Sequence, residues 1–168
     1  LVELSGRSSL SPDLQHIILS ELALIPSYYN RGRPPGRHTL ESEKALEKLM
    51  SIETGTRRIQ RAVGLVYMAV HTWRDAAKAF ERVRKLLDVF ALAETEDPDI
   101  KMSWRSAVFN AVLDIGSLPN VHPRQVLDLV IPYTNTGSVE NDLAAWKSVG
   151  VFHMKGKRFA EASSAYEK

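Results

Sequence analysis

Two segments of this chain share one spaced pattern of small and large residues. Gly64 precedes Ala76 by twelve residues, and Gly150 precedes Ala162 by the same twelve. Small residues at these positions allow two successive helices to approach closely, while large neighbours fill the space around the contact. The residues of the pattern are Gly64, Tyr67, Ala76 and Phe80 in the first segment and Trp146, Gly150, Ala162 and Tyr166 in the second. The pattern therefore predicts an antiparallel pair of helices that occurs at least twice.

Apolar residues recur every three or four positions through the rest of the chain, and this spacing predicts helices. We expect eight helices and no strand, arranged as four successive pairs in a single domain of residues 1–168. The pairs span about 12–53, 56–92, 98–131 and 139–168. Three Pro and two Gly in residues 26–39 predict a loop inside the first pair. The chain begins without Met and its last pair has no stop signal, so we interpret it as part of a longer protein.

Polar residues and prolines before the apolar stripes predict where several helices begin. The predicted starts are Thr39 for the second helix, Thr72 for the fourth with Asp75 as its capping partner, Asp97-Pro98 for the fifth, and His122-Pro123 for the sixth. In the second helix we expect Leu46, Leu49 and Met50 to be buried and Glu43 to face water. The three tryptophans lie in apolar stripes, and we expect them in the core.

The second segment reads W-x2-V-G-x2-H-x8-A-x3-Y and resembles the tetratricopeptide repeat, a helix pair of α-solenoids. His153 stands where that repeat usually has Tyr, and Gly156 falls one residue early in the turn. The chain also resembles the pentatricopeptide repeat, which has the same helix pair. That repeat usually has a larger apolar residue at the position of Gly150, so it is the second choice. Gly64 and Gly150 are 86 residues apart, so with one pair between them the mean repeat is about 43 residues. The resemblance implies an all-α, right-handed solenoid whose first helices line a concave, partner-binding surface.

Motifs for enzymatic chemistry are missing from the sequence. It has neither the phosphate-binding nor the dinucleotide-binding glycine pattern, its five histidines show no ligand spacing, and it lacks cysteine. We therefore predict a non-enzymatic protein without cofactor, metal site or small-molecule substrate. No apolar run reaches the ~18 residues that span a bilayer, so no membrane span is predicted. The absence of cysteine and of a signal peptide favours an intracellular location, in the cytoplasm or the mitochondrion.

Charge is unevenly distributed along the chain, although the net charge is only +2. Residues 1–90 hold 14 Lys and Arg against 10 Asp and Glu, residues 91–142 hold 3 against 8, and residues 143–168 hold 5 against 2. This order predicts separate basic and acidic patches. A uniformly basic surface, as in a nucleic-acid coat protein, is not indicated.

Two basic groups are candidate contacts for a partner. The first mixes arginine with tyrosine, a composition that binds phosphates and stacks on bases, and the second opens the third helix. The candidates are Tyr28, Tyr29, Arg31, Arg33 and Arg37 in and beside the loop, and Arg57, Arg58 and Arg61 in the helix. A further set in the fourth helix comprises Lys78, Arg82, Arg84 and Lys85. A solvated face explains these sets most simply, and an RNA or acidic-protein contact is the alternative.

We expect a scaffold or architectural subunit that binds other protein subunits or peptide segments. The alternative is an RNA-contacting subunit of an organellar ribonucleoprotein. The two differ in salt dependence, since contacts with RNA phosphates weaken steeply as salt rises.

Overall fold

The computed structural model describes residues 10–24 and 37–168, and its regular structure there is all α-helical, as predicted, with no strand. The α-helices are α1 (Pro12–Leu24), α2 (Arg37–Ile52), α3 (Gly55–Tyr67), α4 (Ala76–Glu96), α5 (Met102–Asp114), α6 (Pro123–Val130), α7 (Val139–Lys155) and α8 (Phe159–Tyr166). Most of the predicted loop, residues 26–36, lies outside the described residues. Within the two described ranges, none of these helices combines the length and apolar character needed to cross a bilayer.

Three of the predicted helix starts are wrong and one is confirmed. α2 begins at Arg37, so Thr39 is a buried residue of its first turn rather than its cap. α5 begins at Met102, because Asp97 instead ends α4 and accepts a hydrogen bond from the Asp99 amide at 3.1 Å. α6 begins as predicted: His122 Nδ1 accepts from the Arg124 amide, and the His122 amide donates to the Gln125 side chain.

The start of α4 differs because the chain inserts a π-helical turn before it. Residues Met68–Trp73 continue α3 in this wider turn, and Thr72 lies buried within it. Asp75 is the actual N-cap of α4, accepting from the Lys78 amide at 3.2 Å. Thr72 therefore does not start the helix, and Asp75 takes that role alone.

One large core and one small core hold the helices together. The large core extends from α2 to α8 and centres on Phe90 and Phe109, whose rings meet edge to face at 5.9 Å. The small core joins α1 to α2 through Leu19, Leu22 and Leu49, among others. Leu46 and Met50 are also buried, as predicted. Trp104 and Trp146 pack partly buried against the large core, whereas Trp73 lies under the Lys78 ammonium, 3.1 Å from its ring centre.

Three helices pack side by side in the order α3, α5 and α7. Their C-terminal ends lie on the same side of the molecule. Asp114, the last residue of α5, connects these ends. Its Oδ1 lies 2.9 Å from Lys155 Nζ at the end of α7, and its Oδ2 lies 3.9 Å from His71 Nε2 in the π-helical turn. α4 packs against α3, and α8 packs against α7.

A residue in the left-handed conformation marks the turn that follows each of these three helices. The residues are Arg74 (φ 54°), Asn120 (φ 65°) and Lys157 (φ 57°), and the next helix starts two or three positions later. Counted from these residues, Ala79 of α4 corresponds to Ala162 of α8, and both are buried. The same count aligns Tyr67, rather than Gly64, with Gly150. The two sequence segments thus have equal spacing but occupy different positions in their helix pairs, because the left-handed residue comes ten positions after Gly64 and seven after Gly150.

The glycines confirm this difference in position. A Cβ at Gly150 would lie 2.5 Å from Tyr166 Cε1 in α8, so α7 and α8 meet closely there, as predicted. A Cβ at Gly64 would only reach ordinary contact, 3.5 Å from the Leu46 side chain of α2. The prediction that Gly64 lies at the contact with α4 is therefore wrong. Gly116 has a tight contact that the pattern did not indicate, since its Cβ would lie 2.6 Å from a ring carbon of buried Phe152.

These distances predict three different outcomes for alanine substitutions. Gly116→Ala should lower the free energy of unfolding by about 1–2 kcal/mol, because the added Cβ would overlap the ring of Phe152, which is only 8% exposed. Gly150→Ala should cost less, because the ring of Tyr166 is 53% exposed and can swing outward. Gly64→Ala should stabilise by about 0.5–1 kcal/mol, the usual gain within a helix. Urea unfolding of the three variants measures the order, and destabilisation by Gly64→Ala would contradict the assigned position of Gly64.

Candidate interaction surfaces

The predicted basic contacts do not form one patch. Arg57, Arg58 and Arg61 lie in the first turns of α3, whereas Arg37 begins α2. Because the 16 residues of α2 separate these sites, Arg37 is about 24 Å from the start of α3 along the helix. Tyr28, Tyr29, Arg31 and Arg33 lie outside the described residues.

Two of the three arginines of α3 are engaged inside the molecule by Glu53. Arg61 Nε donates to the Glu53 carboxylate at 2.9 Å, and Arg58 Nε donates to the Glu53 carbonyl at 2.7 Å. His16 of α1 adds a third contact, with Nε2 lying 2.7 Å from the carboxylate. Burial of Glu53 opposes its ionisation, but the hydrogen bonds from Arg61 and His16 outweigh it and lower the pKa of this carboxyl. Arg58 and Arg61 therefore serve to join α1, α2 and α3.

The surroundings of Arg57 are acidic. Arg57 lines a cavity of about 810 Å³ together with Asp13, Glu53 and Asp97. The end of α4 brings Glu96 to the same region, where it accepts from the Gly55 amide at 3.3 Å and lies 3.6 Å from an Arg58 nitrogen. This end of the molecule is thus poorly suited to bind a polyanion, although the sequence places three arginines there.

A buried ionic cluster between α2 and α4 uses residues predicted to face water. Glu43 is 7% exposed and accepts from Arg82 Nη2 and from Lys78 Nζ, the latter at 3.3 Å. Arg82 is 8% exposed, and its other terminal nitrogen lies 2.8 Å from Glu47. The predictions of a water-facing Glu43 and of a solvated or partner-binding Arg82 are wrong. Arg84 and Lys85 of the same set are exposed.

A shallow apolar groove lies between α3 and α5. Its cavity measures about 140 Å³ and is lined by Val63, Val66, Tyr67, Val70, His71, Ala107, Asn110, Ala111 and Asp114. Tyr67 is 42% exposed and borders the groove. It does not fill the space between paired helices, which is the position that the repeat pattern predicts. Its ring lies 4.4 Å from the ring of His71, tilted by 46°. A cavity of this size accepts one apolar side chain or one ring.

The turns after α3, α5 and α7 form a second surface, the turn edge, which comprises residues 71–75, 114–120 and 155–158. Ser117 lines two cavities at once. One measures about 510 Å³ and includes Tyr67, His71 and Arg74, and the other measures about 160 Å³ and includes Lys155 and Arg158. The three turns are therefore neighbours along one continuous surface.

Positive charge predominates on the turn edge. Arg74 and Lys157 are exposed, and neither forms an ion pair with any residue in the described ranges. Lys155 pairs with Asp114, while Arg158 Nε donates to His153 Nδ1 at 3.0 Å. Burial and the nearby Arg158 cation lower the pKa of His153, which favours the neutral ring that accepts this bond.

The described ranges contain no cluster of three or more His, Asp or Glu side chains that could hold a metal ion. Of the carboxylates that line the cavities, Glu53 and Asp114 are bonded to arginine, histidine or lysine. The geometry is suited to binding a partner along a groove or an edge.

Comparison with protein-family profiles, with curated proteins and with solved structures finds no match to this chain.

Proposed function

We propose that this chain is a non-enzymatic interaction module of the helical-repeat kind, which binds a segment of another protein on the face shared by α3, α5 and α7. In this proposal the helix pairs stack as a right-handed solenoid. The side-by-side packing of these three helices and the recurring left-handed residue after each support it. The family resemblance alone would not assign a partner.

The observation that carries the proposal is the apolar groove between α3 and α5. Val63 and Val66 on one side and Ala107 and Ala111 on the other supply an apolar floor. Exposed Asn110 stands beside that floor and can hydrogen-bond to a partner's backbone. An apolar pocket with polar groups at its rim is the usual composition of a site that anchors one partner side chain. The groove therefore fits a peptide or helix that inserts a single leucine-sized or aromatic residue.

Filling the groove should weaken this binding without harming the fold. Ala111→Leu places three further carbons in the cavity and should weaken partner binding by about tenfold, equivalent to losing one anchor contact of about 1.4 kcal/mol. Proteins retained from the native source at moderate salt would be identified with the wild-type chain. The affinity of each retained protein would then be measured for the wild-type chain and for Ala111→Leu.

Ser103→Leu is the matched control, since it adds a leucine two turns earlier on α5, outside the groove. It should leave binding unchanged. Equal retention by Ala111→Leu and wild type would reject the groove as the binding site. A chain that retains no protein at moderate salt would reject the scaffold function itself.

A further inference from the structure

Two cations of the turn edge occupy backbone positions that disfavour them. Arg74 and Lys157 have φ values of 54° and 57°, in the left-handed region that glycine adopts without strain. Asn120, at the corresponding place in the middle turn, is of a residue type that tolerates this conformation. The outer two turns thus carry Arg and Lys where Gly or Asn would be more stable. Strained residues that persist on a surface point to a function of their side chains.

The side chains of these two residues are available to a partner. Both are exposed and neither forms an ion pair with the parts of the chain that the structure describes. The middle turn between them contributes Ser117, whose exposed hydroxyl donates to the Asp114 carbonyl at 2.7 Å and can accept a hydrogen bond from a partner. Since adjacent packed helices are about 8–10 Å apart, the outer turns are roughly 20 Å apart. A ligand that contacts both must be extended and must carry negative charge at more than one point.

An aromatic ring accompanies the first of these cations. Tyr67 and Arg74 line the same cavity of about 510 Å³, and the ring of His71 contacts that of Tyr67 at a tilt of 46°. The ring of Tyr67 remains 42% exposed. An exposed aromatic ring beside an arginine is the combination that holds an unpaired base and its phosphate. An acidic polypeptide would use the cations but has no need of the ring.

We propose that the turn edge binds single-stranded RNA, with Arg74 and Lys157 contacting phosphates and Tyr67 stacking on a base. This site is separate from the acidic end where Arg57, Arg58 and Arg61 lie. It adjoins the protein-binding groove: neither Arg74 nor Lys157 lines that groove, but Tyr67 borders both sites.

Glycine substitutions separate binding from folding at these positions. The double variant Arg74→Gly, Lys157→Gly removes both charges and relieves both strained conformations, so it should raise the melting temperature by a few degrees. Its affinity for a fluorescent single-stranded RNA of about 12 nucleotides should fall about tenfold at ~0.1 M salt. The plot of log K against log salt concentration should become less steep by about 1.4, the contribution of two single-strand phosphates.

Two further measurements complete the test. Asn120→Gly relaxes the middle turn without removing charge, and it should leave RNA affinity unchanged. Tyr67→Leu should weaken RNA binding at least about fivefold through lost stacking, while leaving the salt slope as it is.

The proposal is overturned if the double glycine variant is more stable but binds RNA with unchanged affinity and slope. It is also overturned if a polyglutamate peptide displaces the RNA at equal concentration of negative charge. That result would assign the edge to acidic polypeptides.

Discussion

Replacing Arg82 by methionine should lower the free energy of unfolding by about 3–5 kcal/mol, the usual cost of removing one partner from a buried ion pair. Methionine has nearly the length of the arginine stem, so little packing is lost. The cost arises because Glu43 stays buried with Lys78 as its remaining cation, and Lys78 is more exposed than Arg82. Urea unfolding at neutral pH measures the change.

A second substitution distinguishes the buried charge from lost packing. Glu43→Met combined with Arg82→Met leaves no uncompensated buried carboxylate, because Glu47 is 39% exposed, so the double variant should be more stable than Arg82→Met alone. Arg84→Met, on the exposed side of α4, should change stability by no more than about 0.5 kcal/mol. Arg82→Met within 1 kcal/mol of wild type would mean that the ionic cluster does not join α2 to α4.

The cluster also shows where sequence reasoning ends. Apolar residues at helical spacing predicted that α2 exists and that Leu46 and Leu49 are buried, because that spacing reports one face of one helix. The partners of Glu43 are 35 and 39 residues away, in α4. No local spacing contains that pairing. From the sequence alone, a charged residue next to an apolar stripe is predicted to face water. Only the position of the neighbouring helix shows that it is buried.

The turns give a second example. Equal spacing from Gly64 to Ala76 and from Gly150 to Ala162 predicted two equivalent helix pairs. The spacing counts residues, however, and not the pitch of the helix between them. A π-helical turn at Met68–Trp73 delays the left-handed residue, so it comes ten positions after Gly64 but seven after Gly150. No residue type in that turn predicts the change of pitch from the sequence. The close helix contact at Gly150, in contrast, is predicted by the small residue itself.

The candidate surfaces were predictable only in their composition. Uneven charge along the chain predicts patches by segment, but the acidic end combines Asp13 and Glu53 of the basic segment with Asp97. Arginine stands beside tyrosine in residues 28–37. The exposed pair that the structure brings together is instead Tyr67 and Arg74, which the sequence had assigned to packing or had left aside. Their proximity depends on how α3 ends, and their freedom from ion pairs depends on which acids α4 and α5 bring near. Both are properties of the assembled helices.

Glu53→Gln should lower the free energy of unfolding by about 2–3 kcal/mol at neutral pH, since it replaces charge-assisted hydrogen bonds from Arg61 and His16 by neutral ones. Glutamine keeps the shape but turns one acceptor oxygen into an NH2 group that faces a donor of Arg61 or His16, so the loss reports the charge together with one acceptor. The Arg61 side chain, which is only 16% exposed, would then lack the Glu53 carboxylate as its partner. The variant should therefore loosen the contact of α1 and α3 with the end of α2.

This loss should itself depend on pH. The folded pKa of Glu53 lies below its ordinary value of 4.5, so its stabilising contribution is complete above about pH 4.5 and disappears as the pH falls through the folded pKa. Wild type and Glu53→Gln should therefore differ by the full amount at pH 7 and converge in more acidic solution. His153 and Asp142, whose pKa values are also lowered, titrate equally in both proteins and cancel in the difference. A difference that persists unchanged at about pH 2 would show that shape, and not ionisation, is what Glu53 contributes.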